Sequence, residues 1–336
     1  MNPQALPLDP LPAHRLSLAR IAAASARIAP EFLHSPQYHC EPLSAALGCT
    51  VTLKVETVNP IRCFKGRGAE LLVAAALASE PHRPLVCASA GNWGQAVAWS
   101  CRRRGAQVRV WAARTANPLK VERMRALGAL VQQEGQDFDA AKDAARAWAM
   151  GTGARLLEDG LDVEVAEGAG TMALELTAAG GAWDAASFPL GNGALLTGNA
   201  RWLKAARPGI RVAGVVARGA PAMRDSWLRG PGASVVETQA VNTIADGIGV
   251  RVPIPEAVND MHGLVDLVHT VEEEALIEAM QLLHRYAGLV VEPAGAAGLA
   301  GVLTARSDYA GARVIVPVCG SNVDPGRLVA WLMTAP

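Results

Sequence analysis

Leu53-Lys54-Val55-Glu56-Thr57-Val58-Asn59-Pro60-Ile61-Arg62-Cys63-Phe64-Lys65-Gly66-Arg67-Gly68-Ala69 places one lysine, Lys65, between an aromatic residue and a glycine where a strand hands over to a helix. Surface lysines on helices usually have polar neighbours. Lys65 instead follows Phe64 and precedes the apolar run from Leu71 to Leu77. Burial of this kind lowers an amine's pKa and makes it nucleophilic toward carbonyls. Lys65 is therefore a candidate covalent anchor for a carbonyl-bearing cofactor. The segment by itself reads equally as an ordinary lysine at a helix start.

Outward from this stretch, short β-branched runs alternate with segments of helical period. Leu85 to Ala88, Gln107 to Trp111, Ala129 to Gln132, Arg211 to Val216 and Val314 to Val318 read as strands. Gly91 to Arg104, Pro118 to Leu127, Asp139 to Trp148, Gly170 to Ala179, Leu195 to Ala206 and Glu272 to Tyr286 read as helices. The alternation predicts an α/β fold with parallel sheets. Pro3, Pro7, Pro10 and Pro12 make the first 13 residues an extended arm before a helix near Ser17 to Ile28.

The chain has 336 residues, 51% of them hydrophobic, enough for roughly two domains of ~150 residues. Its 31 basic and 31 acidic residues balance. No basic tail or stripe favours nucleic acid or an anionic membrane surface. No apolar run is long enough to span a bilayer, and no signal pattern opens the chain, so a cytoplasmic protein is expected. Cys40, Cys49, Cys63, Cys87, Cys101 and Cys319 show neither a C-x-x-C pair nor zinc-site spacing, so free thiols and no metal are expected.

Two glycine-bearing turns stand at strand-to-helix junctions. Ala88-Ser89-Ala90-Gly91-Asn92-Trp93-Gly94-Gln95 offers small residues and a helix N-terminus to an anion such as a carboxylate. Pro189-Leu190-Gly191-Asn192-Gly193-Ala194-Leu195 reads as a phosphate cup or as a structural tight turn. A dinucleotide site is disfavoured, because Leu196 stands where G-x-G-x-x-G needs its third glycine. The strand after it also ends at Ala217-Arg218 without an acid for a ribose. The G-x-x-x-x-G-K-[ST] pattern is absent.

In order along the chain stand Phe64-Lys65-Gly66-Arg67-Gly68-Ala69, Ser89-Ala90-Gly91-Asn92, Gly191 to Leu195, Thr243-Ile244-Ala245-Asp246-Gly247, Glu292-Pro293-Ala294-Gly295-Ala296 and Cys319-Gly320-Ser321-Asn322. This series resembles the threonine dehydratase and serine racemase group of pyridoxal phosphate enzymes, which have the tryptophan synthase β fold (fold type II). Lys120-Val121-Glu122 and Glu167-Gly168-Ala169-Gly170-Thr171 with Glu175 extend the likeness, which runs from about Pro42 to Asp324. The resemblance implies two parallel-sheet domains. A small one covers residues 84–160, inserted into a large cofactor-binding one of residues 1–83 and 161–336.

It also implies roles. Lys65 would bind pyridoxal phosphate covalently, with Phe64 beside the cofactor. Asn92 would reach the ring hydroxyl and Cys319 the pyridine nitrogen, unless Cys319 is simply a small buried hydrophobe. Gly191, Asn192, Gly193, Ala194 and Leu195 would hold the phosphate. Ser89, Ala90, Gly91, Asn92 and Trp93 would line the site for the substrate carboxylate, with Gly247 and Glu292 near the ring. Three departures from the family stand out: Trp93 replaces its usual histidine, Ile61-Arg62-Cys63 replaces Thr-Gly-Ser, and Asn192 and Ala194 interrupt a run of glycines. Trp93 could stack on an aryl substrate or narrow the pocket. The opposite-face serine of serine racemase falls at Ala90, and the metal carboxylates there fall at Val216 and Ala222, so neither racemisation nor a metal is expected.

The expected function is dehydration of a 3-hydroxy amino acid to a 2-oxo acid and ammonia. L-Threonine, L-serine and 3-phenylserine are the candidate substrates. In the resemblance, Lys65 takes the Cα proton and the cofactor phosphate protonates the departing hydroxyl; no histidine occurs in the matched motifs. The alternatives are an amino-acid racemase, a β-replacement synthase, or a non-catalytic amino-acid binding protein. A homodimer is expected by analogy with the family.

Overall fold

The computed structural model describes residues 7–89 and 91–334, so the sequence readings of Pro3 and Ala90 fall outside the described residues. Among the described residues ten strands run in chain order: β1 (Gln37–His39), β2 (Thr50–Val55), β3 (Leu85–Ala88), β4 (Val108–Ala112), β5 (Leu130–Gln133), β6 (Arg155–Leu156), β7 (Ala185–Pro189), β8 (Arg211–Ala217), β9 (Leu267–Val271) and β10 (Arg313–Val318). They form a six-stranded sheet, β1-β2-β10-β7-β8-β9, and a four-stranded sheet, β5-β4-β3-β6. Among the strand pairings of the described residues, β1–β2 is antiparallel and the others are parallel. The smaller sheet is drawn wholly from residues between Leu85 and Leu156, and the larger from the chain on either side. The fold is α/β with two parallel sheets, as the alternation predicts.

Parallel strands are covered by helices on both faces, so β3, β7, β8 and β10 are apolar runs with little exposure. β10 returns the C-terminal chain to the middle of the large sheet, pairing Val318 with Val55 of β2. Cys319 therefore emerges beside the Lys65 loop. The Phe64 N–H donates to its carbonyl at 3.1 Å, and Cys63 bridges Gly320.

Several elements differ from the sequence reading. The helix expected from Gly170 begins at Val163 and runs to Ala178. Its glycines are contact points, not breakers. A Cβ at Gly68 would lie 2.6 Å from the Val165 carbonyl oxygen, and one at Gly168 would lie 2.6 Å from that of Arg67. Backbone thus packs on backbone where this helix crosses Gly66–Ser79, directly behind Lys65. The first helix is only Leu18–Ala24, opened by the Ser17 hydroxyl accepting from Arg20 N–H. β1 and β6, at three and two residues, are too short to carry a period.

Candidate active site

Lys65 caps the helix Gly66–Ser79, which is fixed from below by a buried ion network. The Arg67 guanidinium donates to Glu56 Oε1 and Oε2, both at 2.8 Å, to Glu175 Oε1 at 2.6 Å and to Thr171 Oγ1 at 2.9 Å. Lys54 Nζ donates to Glu175 Oε2 at 2.6 Å and to the Ser35 carbonyl at 2.9 Å. Two cations face two carboxylates with almost no solvent access, and β2 is pinned to two helices. Burial works against the Glu175 carboxylate, but Arg67 and Lys54 outweigh it and hold its pKa below the ordinary value.

Above this network lies a cleft lined by Phe64, Lys65, Asn92, Asp159, Pro189, Gly191 to Leu195, Gly247, Ile248, Glu292, Ala294 and Cys319. Every residue that the sequence reading assigns to a cofactor is on this wall. Gly191 to Leu195 join the end of β7 to the helix Ala194–Ala206. The first amides of a helix have no partners within it, so this opening is an anion seat. Gly193 is the cap at φ 94°, and a Cβ at Gly191 would strike the Gly247 carbonyl at 2.7 Å. Among the described residues only His34 and Arg62 combine a side chain with positive φ, so Asn192 and Ala194 replace glycine without strain. Arg62, at φ 55°, occupies the left-handed position where the family pattern has glycine.

Across the cleft, Asn92 opens the helix Asn92–Arg103. Its Nδ2 donates to Glu292 Oε1 at 2.5 Å, and its Oδ1 accepts from Asn322 Nδ2 at 2.8 Å. Asn322 also donates to the Ile61 carbonyl and accepts from Arg123, so the amide orientation is set from three elements. Burial pushes the Glu292 carboxyl above its usual range; Lys120 pulls it back and Asp246 adds to the rise. Lys120 pairs with Asp246 beside them. Glu292, Lys120, Asp246 and Asn322 stand in the matched motifs. The contacts that tie them to one another and to Asn92 span up to 230 residues of sequence and are not readable from local pattern.

Three expectations are modified by the structure. Lys65 does not have a lowered pKa: burial pushes it down, but Asp159, whose Oδ2 lies 2.5 Å from Nζ, raises it above the ordinary value. Asp159 escaped the sequence reading; an acidic pair before Gly160 at the end of a two-residue strand is a weak signal. Ser89 is buried, and its hydroxyl accepts from the Gly91 and Gly94 N–H groups at 3.0 and 2.7 Å, holding the turn instead of facing the cleft. Trp93 is 5% exposed, packed in the core around the smaller sheet, with Nε1 donating to the Leu157 carbonyl at 3.2 Å. Its ring is absent from the cleft wall. Gly91 is likewise off that wall, and Ala90 lies outside the described residues. Cys319 does line the cleft, and burial and Glu292 push its thiol well up, so the sulfur stays protonated and neutral. Val216 and Ala222 are buried apolar side chains.

A family model for pyridoxal-phosphate dependent enzymes matches residues 28–320. The chain belongs to the pyridoxal-phosphate dependent enzyme family. It is 34% identical over 282 residues to the L-threonine ammonia-lyase of Thermotoga maritima, covering 84% of this chain and 69% of that protein. A threonine deaminase from T.th. superposes with a TM-score of 0.84 at 33% identity, covering 92% and 99% of the two chains. A pyridoxal 5'-phosphate-dependent aspartate racemase superposes at 0.85 and 27% identity, covering 94% and 98%. The protein is a pyridoxal phosphate-dependent enzyme, and its relatives place it among the lyases.

The residues present fit the cofactor. A lysine amine, a glycine-bearing helix opening for a phosphate, a neutral thiol and a held amide share one cleft. Two buried carboxylate oxygens on its wall, Asp159 Oδ1 and Glu292 Oε2, have no hydrogen-bond partner among the described residues. Buried polar atoms normally find partners, so these two mark space built for a polar guest.

Proposed function

We propose that this enzyme dehydrates a small 3-hydroxy amino acid, releasing a 2-oxo acid and ammonia. The observation that carries the reading is the meeting of Lys65, Asn92, the loop Gly191 to Leu195 and Cys319 around one cleft. The likeness to threonine ammonia-lyase and threonine deaminase supports the reaction class. Bound pyridoxal phosphate supplies the electron sink for loss of a Cα proton. The amides at the start of Ala194–Ala206 hold the phosphate, and Lys65 both anchors the cofactor and accepts the Cα proton at Nζ. The Asn92 amide, fixed by Glu292 and Asn322, orients the ring. Cys319, a neutral thiol on the cleft wall, would stand toward the ring nitrogen and add no charge there, a setting that would favour prompt loss of the β-substituent.

L-Threonine and L-serine are the proposed substrates. The aryl reading rested on Trp93 stacking against a phenyl group, and an indole packed into the core with its N–H on Leu157 gives it no surface. In this reading residues 84–160 form the unit that presents Asn92 to the rest. The enzyme acts as a cytoplasmic homodimer; no described helix is long and apolar enough to cross a membrane. Helix Pro325–Met333 has no buried residue and exposes Val329 and Met333, apolar surface that a second copy would cover.

The test is a keto-acid and ammonia assay on L-threonine, L-serine and L-threo-3-phenylserine, with chiral analysis of residual serine. We expect 2-oxobutanoate and pyruvate, and borohydride reduction should leave the pyridoxyl group on the peptide holding Lys65. D-Serine forming faster than pyruvate would replace the dehydratase reading by a racemase.

A further inference from the structure

Asp159 has a setting that a structural carboxylate does not need. It follows β6 on a loop braced from three sides. The Leu157 carbonyl takes the Trp93 indole N–H at 3.2 Å, and Glu158 pairs with Arg146. Gly160, at φ 96°, turns the chain so tightly against the loop Gly191 to Leu195 that a Cβ there would lie 2.8 Å from the Asn192 carbonyl. The carboxylate held this way is 8% exposed and lines the cleft. One oxygen, Oδ2, touches Lys65 Nζ at 2.5 Å, and the other is buried with no partner among the described residues. An ion pair made for stability alone would satisfy both oxygens. Here the cation on one side is the lysine that the reaction requires, and the other side is left open.

We propose that Asp159 carries the proton from Lys65 to the departing β-hydroxyl, so that the protein itself supplies the acid for dehydration. This rests on the dehydratase reading above. Lys65 Nζ takes the Cα proton, and the electron pair of the broken Cα–H bond forms the Cα–Cβ double bond as the Cβ–O bond breaks. The oxygen leaves with the Cβ–O pair. Lys65 passes one proton across its contact to Asp159, the carboxyl gives it to that oxygen, and water departs. Lys65 and Asp159 end in the forms in which they began the step. Hydroxide is a poor leaving group, so a placed acid is worth on the order of 10²- to 10⁴-fold.

The experiment compares wild type, Asp159→Asn and Asp159→Glu holoenzymes on L-serine and on β-chloro-L-alanine, whose chloride leaves without a proton. Asp159→Asn should lower kcat for L-serine by about 100-fold or more, with KM little changed and chloride elimination nearly intact. Asp159→Glu keeps the carboxyl and should retain most dehydration. A second readout needs no turnover. In cofactor-free protein, the pH at which Lys65 becomes reactive to an acylating reagent, read by peptide mass spectrometry, should fall in Asp159→Asn because burial then loses its main opponent. Equal slowing of both substrates, or no shift in Lys65 reactivity, overturns the relay. Serine dehydration at wild-type rate in Asp159→Asn sinks the relay alone. A wild type that eliminates chloride but dehydrates no hydroxy amino acid sinks the dehydratase reading and the relay with it.

Discussion

Replacing Gly198 by alanine adds one methyl group where the structure has no room for it. Gly198 lies in the helix Ala194–Ala206, and its ideal Cβ would sit 1.8 Å from the Ala166 carbonyl oxygen and 3.0 Å from the Gly170 nitrogen. Both obstacles are backbone of the helix Val163–Ala178, so no side chain can swing aside. Since Cβ atoms essentially never come within 3.0 Å of a neighbour, the two helices must part by at least 1.2 Å. Overpacking of this kind costs typically 1–3 kcal/mol, and rigid backbone on both sides puts this case at about 3 kcal/mol. The adjacent bond from Asn199 Nδ2 to the Ala169 carbonyl, at 3.2 Å, would be lost as well, adding about 1 kcal/mol. The same displacement carries the loop Gly191 to Leu195, and a 1 Å error in a positioning element costs on the order of 10²-fold in rate. Urea unfolding of the cofactor-free protein and fluorescence titration with pyridoxal phosphate read the two effects separately. Gly151→Ala is the control: it lies in the helix Phe138–Thr152 with nothing within 4 Å of its Cβ, and alanine there should stabilise by about 0.5–1 kcal/mol. A Gly198→Ala protein within about 0.5 kcal/mol of wild type and binding cofactor normally would refute the reasoning.

Arg67→Met should cost about 3–5 kcal/mol in urea unfolding, because Glu56 and Glu175 would be left with Lys54 as the one remaining cation of the network; an unchanged unfolding midpoint would contradict the network's role. The Glu175 carboxyl is held below its ordinary value of 4.5, so the stability it contributes is present above pH 4.5 and is lost as pH falls through the folded pKa. Relative to wild type, Glu175→Gln should show a flatter decline in unfolding free energy below pH 4.5, and parallel profiles would show that the shift does not operate in solution.

Much of the site was legible because it is local. Phe64-Lys65-Gly66 sits at one strand-to-helix junction and Gly191 to Leu195 at another, and a junction between parallel strand and helix leaves free amides wherever it occurs. The alternation of strands and helices was enough for the α/β class, and the order of those junctions, with Asn92 and Cys319, carried the family resemblance that implied the cofactor. The helix expected from Gly170 begins seven residues earlier, at Val163, because Gly168 and Gly170 serve packing: they let helix backbones touch, and only the neighbouring helix reveals that use. Trp93 was ambiguous for a related reason. Its neighbours in sequence do not determine whether an indole turns toward the cleft or toward the core, and the carbonyl of Leu157 settles that choice.

The sequence by itself determined which chemical groups this protein owns and at which turns they stand, since strand, turn and helix signals act over a few residues. The tertiary structure alone decided their charge states and partners. Lys65 is the clearest case: burial, which the flanking residues foretell, pushes its pKa down, yet Asp159, 94 positions along the chain, reverses the sign from 2.5 Å away. Electrostatic energy depends on distance in space and on the loss of water around the pair, and sequence separation constrains neither.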